Sequence, residues 1–154
     1  MAKIYEGKSV GKGVKIGVVA SQFNKFITQR LVDGCLKELQ GRGVVKNDIR
    51  LAWVPGAYEI PIVALKLAKK KNVDGVICLG AVVRGETMHF DLVARGAAEG
   101  IAQVSLATGK PVIFGVLTTD TVDQAYKRSE PKGDNKGRDA ALAALEMINL
   151  LSQV

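Results

Sequence analysis

Four short runs of this sequence are apolar almost without interruption: VKIGVVAS (14–21), IRLAWV (49–54), VDGVICLGAVV (73–83) and PVIFGVLT (111–118). A strand with one wet face alternates apolar and polar residues, so runs without alternation belong to strands covered on both faces. Between them the apolar residues change to helical spacing: Ile27, Leu31, Gly34, Cys35 and Leu39, then Ile60, Val63, Ala64, Leu67 and Ala68, then Phe90, Val93, Ala97, Ile101 and Val104. Each run has a stop or a start where a helix needs one. Gly41-Arg42-Gly43 and Gly109-Lys110-Pro111 end helices, and Pro61 falls in a first turn where its missing N–H has no partner to lose. After the fourth run, Thr121-Val122-Asp123-Gln124 matches a capping box and predicts a short helix to about Arg128. A last helix carries Ala141, Ala144, Leu145, Ile148 and Leu151. Strand and helix in alternation predict an α/β sandwich: a four-stranded parallel sheet, helices on both faces and right-handed crossovers.

That architecture says where function belongs. Ligands of open parallel sheets gather beyond the carboxyl ends of the strands, where the strand order changes direction. The strand ends here are residues 21–24, 55–59, 82–89 and 118–121, which puts Phe23, Glu59 and His89 on one rim although they are distant in sequence. Upstream of the first strand, KIYE (3–6) predicts a short extended arm able to pair with a sheet edge, its own or a neighbour's.

Composition narrows the class. A chain of 154 residues, 47% hydrophobic and 24% charged, reads as one domain, 1–154, with an ordinary core. No apolar run approaches the roughly 18–20 residues of a membrane span, and the first residues lack the apolar core of a signal peptide, so the expected setting is cytoplasmic with no membrane partner. Cys35 and Cys78 lie far apart in apolar stretches and read as reduced core residues; with a single histidine, a zinc site is not expected. The net charge of +7 fits either nucleic acid or small anionic substrates. Aromatics make up only 5% and do not interleave with Arg and Lys as base-stacking surfaces require, which disfavours nucleic acid. The densest basic run, Lys69-Lys70-Lys71, sits at a helix end, where the dipole alone explains it.

Taken singly, the rim motifs each have two readings. His89 is the only histidine, and imidazole ionises near neutrality (about 6.5), but capping or packing explains its position as well as acid–base chemistry does. Gly85-Glu86-Thr87 before a helix offers free N–H groups and a hydroxyl to a phosphate, or is an ordinary turn that Thr87 caps. Phe23 could stack on a flat heterocycle or staple the following helix, and from its own segment the staple is favoured. Glu59 answers the helix dipole or anchors ligand hydroxyls. Lys127, Arg128, Lys132, Lys136 and Arg138 bracket a glycine-bearing loop that is solvated or binds phosphate.

Five segments taken together go further. VVASQFN (18–24), VPGAYEIP (54–61), GAVVRGETMHFD (80–91), KPVIFGVLTTDT (110–121) and DNKGRDAALAALEM (134–147), in this order and at this spacing, resemble the lumazine synthase family. The resemblance implies a flavodoxin-like three-layer sandwich. It also implies a riboflavin-pathway transferase that condenses 5-amino-6-(D-ribitylamino)uracil with 3,4-dihydroxy-2-butanone 4-phosphate, without metal or redox cofactor. By position, His89 is the implied proton-transfer residue. Gly85, Glu86 (through its N–H) and Thr87 form the phosphate cradle, with Arg128 as phosphate-binding arginine and Lys136 in the basic loop. Phe23 stacks on the pyrimidine beside Asn24, Ala57 and Glu59 hold the ribityl chain, and Val82 and Val83 line the pocket. Phe114 and Arg128 are implied to come from a neighbouring subunit.

The same resemblance implies pentamers, closing in many members into icosahedral shells, with the KIYE arm added to a neighbour's sheet and riboflavin synthase as a candidate partner. The chain departs from the family's common loop after Arg128: Glu130 stands where glycine is frequent, and Gly133-Asp134 reverses the usual order. The loop carries no insertion, which favours the closed shell. A flavin or lumazine carrier, or a purely structural shell protein, are the competing classes; neither needs both His89 and Arg128.

Overall fold

The computed structural model describes residues 1–154. Strands β1 (Ile16–Ser21), β2 (Ile49–Val54), β3 (Gly75–Val83) and β4 (Val112–Thr119) form one parallel sheet in the order β2-β1-β3-β4. Helices α1 (Lys25–Gly41), α2 (Ile60–Ala68), α3 (His89–Thr108), α4 (Val122–Lys127) and α5 (Lys136–Leu151) cover it. The expected flavodoxin-like three-layer arrangement is therefore the observed one.

Side-chain alternation along each strand builds two separate cores. Ile16, Val18 and Ala20 of β1, with Ile77, Leu79 and Ala81 of β3, pack under α1, α4 and α5. Val19, Val76 and Cys78 point the other way and pack under α2 and α3. Each fully buried Ile or Leu in these layers stabilises by roughly 1.5–3 kcal/mol. Most of the helical stripe positions read from the sequence are buried: Ile27, Leu31, Cys35 and Leu39 on α1, Phe90, Ala97, Ile101 and Val104 on α3, and Ala141, Ala144 and Leu145 on α5; Leu151, in the last turn of α5, is instead exposed. At α4 the capping box is complete, with the Gln124 N–H donating to Thr121 Oγ1 and Gln124 Oε1 accepting from the Thr121 N–H.

The first strand begins later than its apolar run, at Ile16, because Lys15 and Asp74 bond to each other instead of continuing the ladder. KIYE forms no strand within one chain. The segment after it lies on α5, where the Lys8 N–H donates to Asn149 Oδ1 at 2.8 Å and the Ser9 hydroxyl to Leu142 O at 3.2 Å. No helix is long and apolar enough to cross a membrane.

Both thiols are buried and free, as expected. Burial pushes the Cys35 thiol from 9.0 up to about 12 and raises Cys78 further still. An unfolded thiol that ionises near 9.0, against a folded one that holds its proton to about 12, favours the unfolded chain between those values. Stability is therefore intact below pH 9.0 and falls as pH rises toward 12. Iodoacetamide in mildly alkaline buffer is expected to label neither cysteine in the native protein and both in denaturant. Labelling of either in the folded state would contradict this core.

Candidate functional site

The strand order fixes where a cavity can open. From β1 the chain crosses to β2 by α1 on one face of the sheet, and from β3 to β4 by α3 on the other. The carboxyl ends of β1 and β3 are thus adjacent while their outgoing helices diverge, which leaves a crevice between them. A cavity of about 450 Å³ lies there, walled by Phe23 and Pro55–Glu59 on one side and by Ala81–Val83, Gly85, Thr87, His89 and Phe90 on the other. Eight of the residues singled out from the sequence line it: Phe23, Ala57, Glu59, Val82, Val83, Gly85, Thr87 and His89.

Phe23 is not a staple. The chain leaving β1 keeps its ladder with the end of β2, as Gln22 N–H donates to Val54 O at 2.7 Å and Phe23 N–H to Pro55 O at 3.1 Å. Asn24 then takes φ 58, the left-handed conformation that Asn tolerates best among residues with a side chain, and turns the chain into α1. The Asn24 amide donates to Ala81 O at 2.9 Å, tying the β1 exit to β3. Phe23 is left 70% exposed, with its ring at the cavity wall instead of under the helix. Asn24 itself does not line the cavity, nor does the exposed Glu86.

Glu59 is set by the packing of α2 on α3. After Pro55-Gly56 a short 3-10 turn, Ala57–Glu59, buries Ala57 and precedes α2. The Tyr58 ring beside it rests on Gly96 of α3 so closely that a Cβ there would lie 2.5 Å from Cε2, and Pro61 rests on Gly100 in the same way, at 2.6 Å. Two glycines four apart on α3 thus make the groove that seats the turn and presents Glu59 to the cavity. Their spacing was available in the sequence as a close-packing signal.

His89 opens α3, immediately after the turn. Met88, at the N-cap, gives the helix no side-chain cap, and the only side-chain bond inside the turn runs from the first helical N–H, that of His89, to Thr87 Oγ1 at 3.3 Å. Unsatisfied N–H groups and the positive end of a 20-residue helix favour an anion at Gly85–Thr87. Arg84, just upstream, was not singled out from the sequence; its guanidinium bonds Asp120 and Asp91 and lies over the Phe90 ring.

Phe114, Arg128 and Lys136 do not join this group. They line a second concavity, of about 400 Å³, along β4 and the start of α5. Phe114 is 43% exposed there. Arg128 caps α4 and donates from Nη1 to Gln124 O at 2.9 Å, while Lys136 Nζ stands 3.5 Å from Asp134 and 3.6 Å from Asp139. The loop between them is a tight hairpin. Ser129 and Asn135 bridge in antiparallel fashion, and the Lys136 N–H donates to Arg128 O at 2.9 Å. Buried Asn135 accepts from the Arg138 N–H and donates to Arg30 O and Glu130 O. Glu130, Gly133 and Asp134, where the chain departs from the common pattern, are exposed at the tip. The departure therefore leaves the base that spaces Arg128 from Lys136 intact.

A parallel α/β sandwich with a cavity at its switch point, one aromatic and one carboxylate on the wall, and a glycine-bearing turn ahead of a lone histidine has the layout of a small-molecule site in the flavodoxin-like class. The match to known families makes it specific. The chain belongs to the 6,7-dimethyl-8-ribityllumazine synthase family, whose model matches residues 13–152. Members of this family are transferases of riboflavin biosynthesis.

Proposed function

We propose that residues 1–154 act as a single lumazine-synthase-like domain that condenses 5-amino-6-(D-ribitylamino)uracil with 3,4-dihydroxy-2-butanone 4-phosphate, giving 6,7-dimethyl-8-ribityllumazine, phosphate and water. The observation that carries this reading is the convergence of Phe23, Glu59, Gly85, Thr87 and His89, from three separate segments, on one cavity of about 450 Å³. Phe23 offers its ring face to the pyrimidine, between walls supplied by Val82 and Val83. Ala57 and Glu59 hold the ribityl chain, Glu59 accepting from its hydroxyls. Gly85, Glu86 and Thr87 take the phosphate on backbone N–H groups and the Thr87 hydroxyl.

In the reaction the substrate's amine adds to the ketone carbonyl, phosphate leaves and the second ring closes. These steps need proton transfers and stabilisation of a departing anion, and the amine comes from the substrate itself. His89 stands beside the phosphate turn, where it can pass a proton from the attacking amine to oxygen. Because such a condensation also proceeds without a catalyst and acid–base catalysis has a limited ceiling, His89→Ala is expected to slow turnover by about 10²-fold or less. An unchanged rate would return His89 to a packing role.

Phe114 and Arg128 complete the site from a neighbouring copy, with Lys136 in the basic loop beside them. The support is that all three line a separate concavity that shares no residue with the first. Lys136 is already flanked by two carboxylates, so Arg128, which commits one N–H within its own chain, is the principal phosphate ligand. The assembly is a pentamer that closes into an icosahedral shell, with KIYE extending a neighbour's sheet; β2 and β4 are its two open edges. The reaction takes place in the cytoplasm, and riboflavin synthase is the expected consumer of the product. Purified protein mixed with both substrates should generate lumazine absorbance faster than the spontaneous reaction. A rate equal to that background would sink the proposal.

A further inference from the structure

We propose that Arg84 is the positioning residue of the phosphate turn, clamping both ends of segment 85–90 so that Gly85, Thr87 and His89 hold one geometry; this rests on the reaction proposed above. On the upstream side, the Arg84 N–H donates to Thr119 O at 2.9 Å, extending the β3–β4 ladder, and Nε donates to Asp120 Oδ1 at 2.8 Å. Asp120 is itself fixed, because its N–H donates to Gln124 Oε1 of the α4 capping box at 2.8 Å. On the downstream side, Nη1 reaches Asp91 Oδ1 in the first turn of α3 at 3.5 Å, and the guanidinium lies 4.4 Å over the ring of Phe90. One side chain thus joins the end of β4 and the cap of α4 to the start of the histidine helix.

The turn between has little else to shape it. Its residues are exposed, and the bond from the His89 N–H to Thr87 Oγ1, at 3.3 Å, is the only side-chain tie within it. Its conformation is therefore imposed from its ends. Arg84 is not itself a free anion ligand, since Asp120 and Asp91 offset its charge. The hydrogen bond to Asp120, seconded by Asp91, also holds the guanidinium proton more firmly than usual. The fork reaches two carboxylates in divergent directions while its flat face covers an aromatic ring, a combination that lysine cannot reproduce. The clamp lies on the surface, where ion pairs add little to global stability, so its removal is separable from unfolding.

Arg84→Lys and Arg84→Met in the full assembly test this. Both are expected to raise KM for the phosphorylated butanone by about tenfold and to lower kcat several-fold, because small misplacements of a catalytic constellation are costly. KM for the pyrimidine amine should stay unchanged, and Tm should stay within about 2 °C. Hydrogen–deuterium exchange should accelerate in the peptide spanning 85–90 and nowhere else, and Asp120→Asn should reproduce the pattern. Wild-type kinetics in both variants, or an equal loss toward both substrates with a lowered Tm, would overturn the assignment. The exchange measurement stands apart from the reaction. If the wild-type protein makes no lumazine, faster exchange confined to 85–90 still supports the clamp, and unaltered exchange there refutes it.

Discussion

Gly137→Ala is expected to cost at least about 3 kcal/mol and lower Tm by roughly 10 °C, or to prevent accumulation of folded protein altogether. Gly137 lies in the first turn of α5 where that helix meets α1, and a Cβ there would overlap the backbone carbonyl of Leu31, with the carbonyl carbon only 2.6 Å away. The obstacle is main chain in the middle of a helix, with no flexible side-chain end to give way. The two helices would have to separate, and the core formed by Leu31, Cys35, Ala141 and Leu145 would open with them. The helix propensity gained by alanine, up to about 1 kcal/mol, opposes this and is too small to win. Gly41, at the end of α1 with nothing near its would-be Cβ, is the control: Gly41→Ala should be neutral or slightly stabilising. A Gly137→Ala protein as stable as wild type by thermal melting would contradict the observed approach of α1 and α5. Because Lys136 and the Arg128 hairpin precede α5 directly, partial unfolding here should also damage phosphate binding.

The architecture was legible in the sequence because its parts are local. Strands covered on both faces lose alternation, helices against a sheet keep a stripe, and Thr121 with Gln124 announces a cap by spacing alone. The rim position of Glu59 and His89 followed from strand ends without any knowledge of strand order. What stayed hidden depends on contacts between distant segments or on backbone geometry. Phe23 read locally as a staple; the left-handed Asn24 and its bond to Ala81 O, a strand away, turn the ring outward. Arg84 carried no signal in the sequence, because its partners Asp91 and Asp120 stand 7 and 36 residues along the chain. KIYE finds no partner strand within its own chain, so no single-chain reading could place it. For Phe114, Arg128 and Lys136, only the family resemblance set them in the same site as His89, since the fold puts them on another concavity.

Arg128→Ala is expected to raise KM for the phosphorylated substrate by about 10- to 100-fold, the worth of roughly 1.5–3 kcal/mol from charge-assisted hydrogen bonds to phosphate. KM for the pyrimidine amine should change little, because Phe23, Ala57 and Glu59 line a different cavity. Folding should be preserved: the guanidinium makes a single bond within its chain, to Gln124 O, and the hairpin that follows is held by Ser129, Asn135 and Arg30. Arg128→Lys keeps the charge without the planar fork and should recover only part of the loss. Equal effects on the two substrates would argue against a phosphate role.

A site divided between neighbouring copies makes one demand that a self-contained site does not. Two defective chains, each damaged in a different half, must repair one another. Arg128→Ala and His89→Ala subunits, unfolded together and reassembled in equal amounts at limiting phosphorylated substrate, should place wild-type halves side by side in about a quarter of all sites. Turnover should then rise well above that of either variant reassembled alone, toward about a quarter of the wild-type rate. Turnover fixed at the mean of the two parents would mean that His89 and Arg128 serve the same chain, and would contradict the shared site.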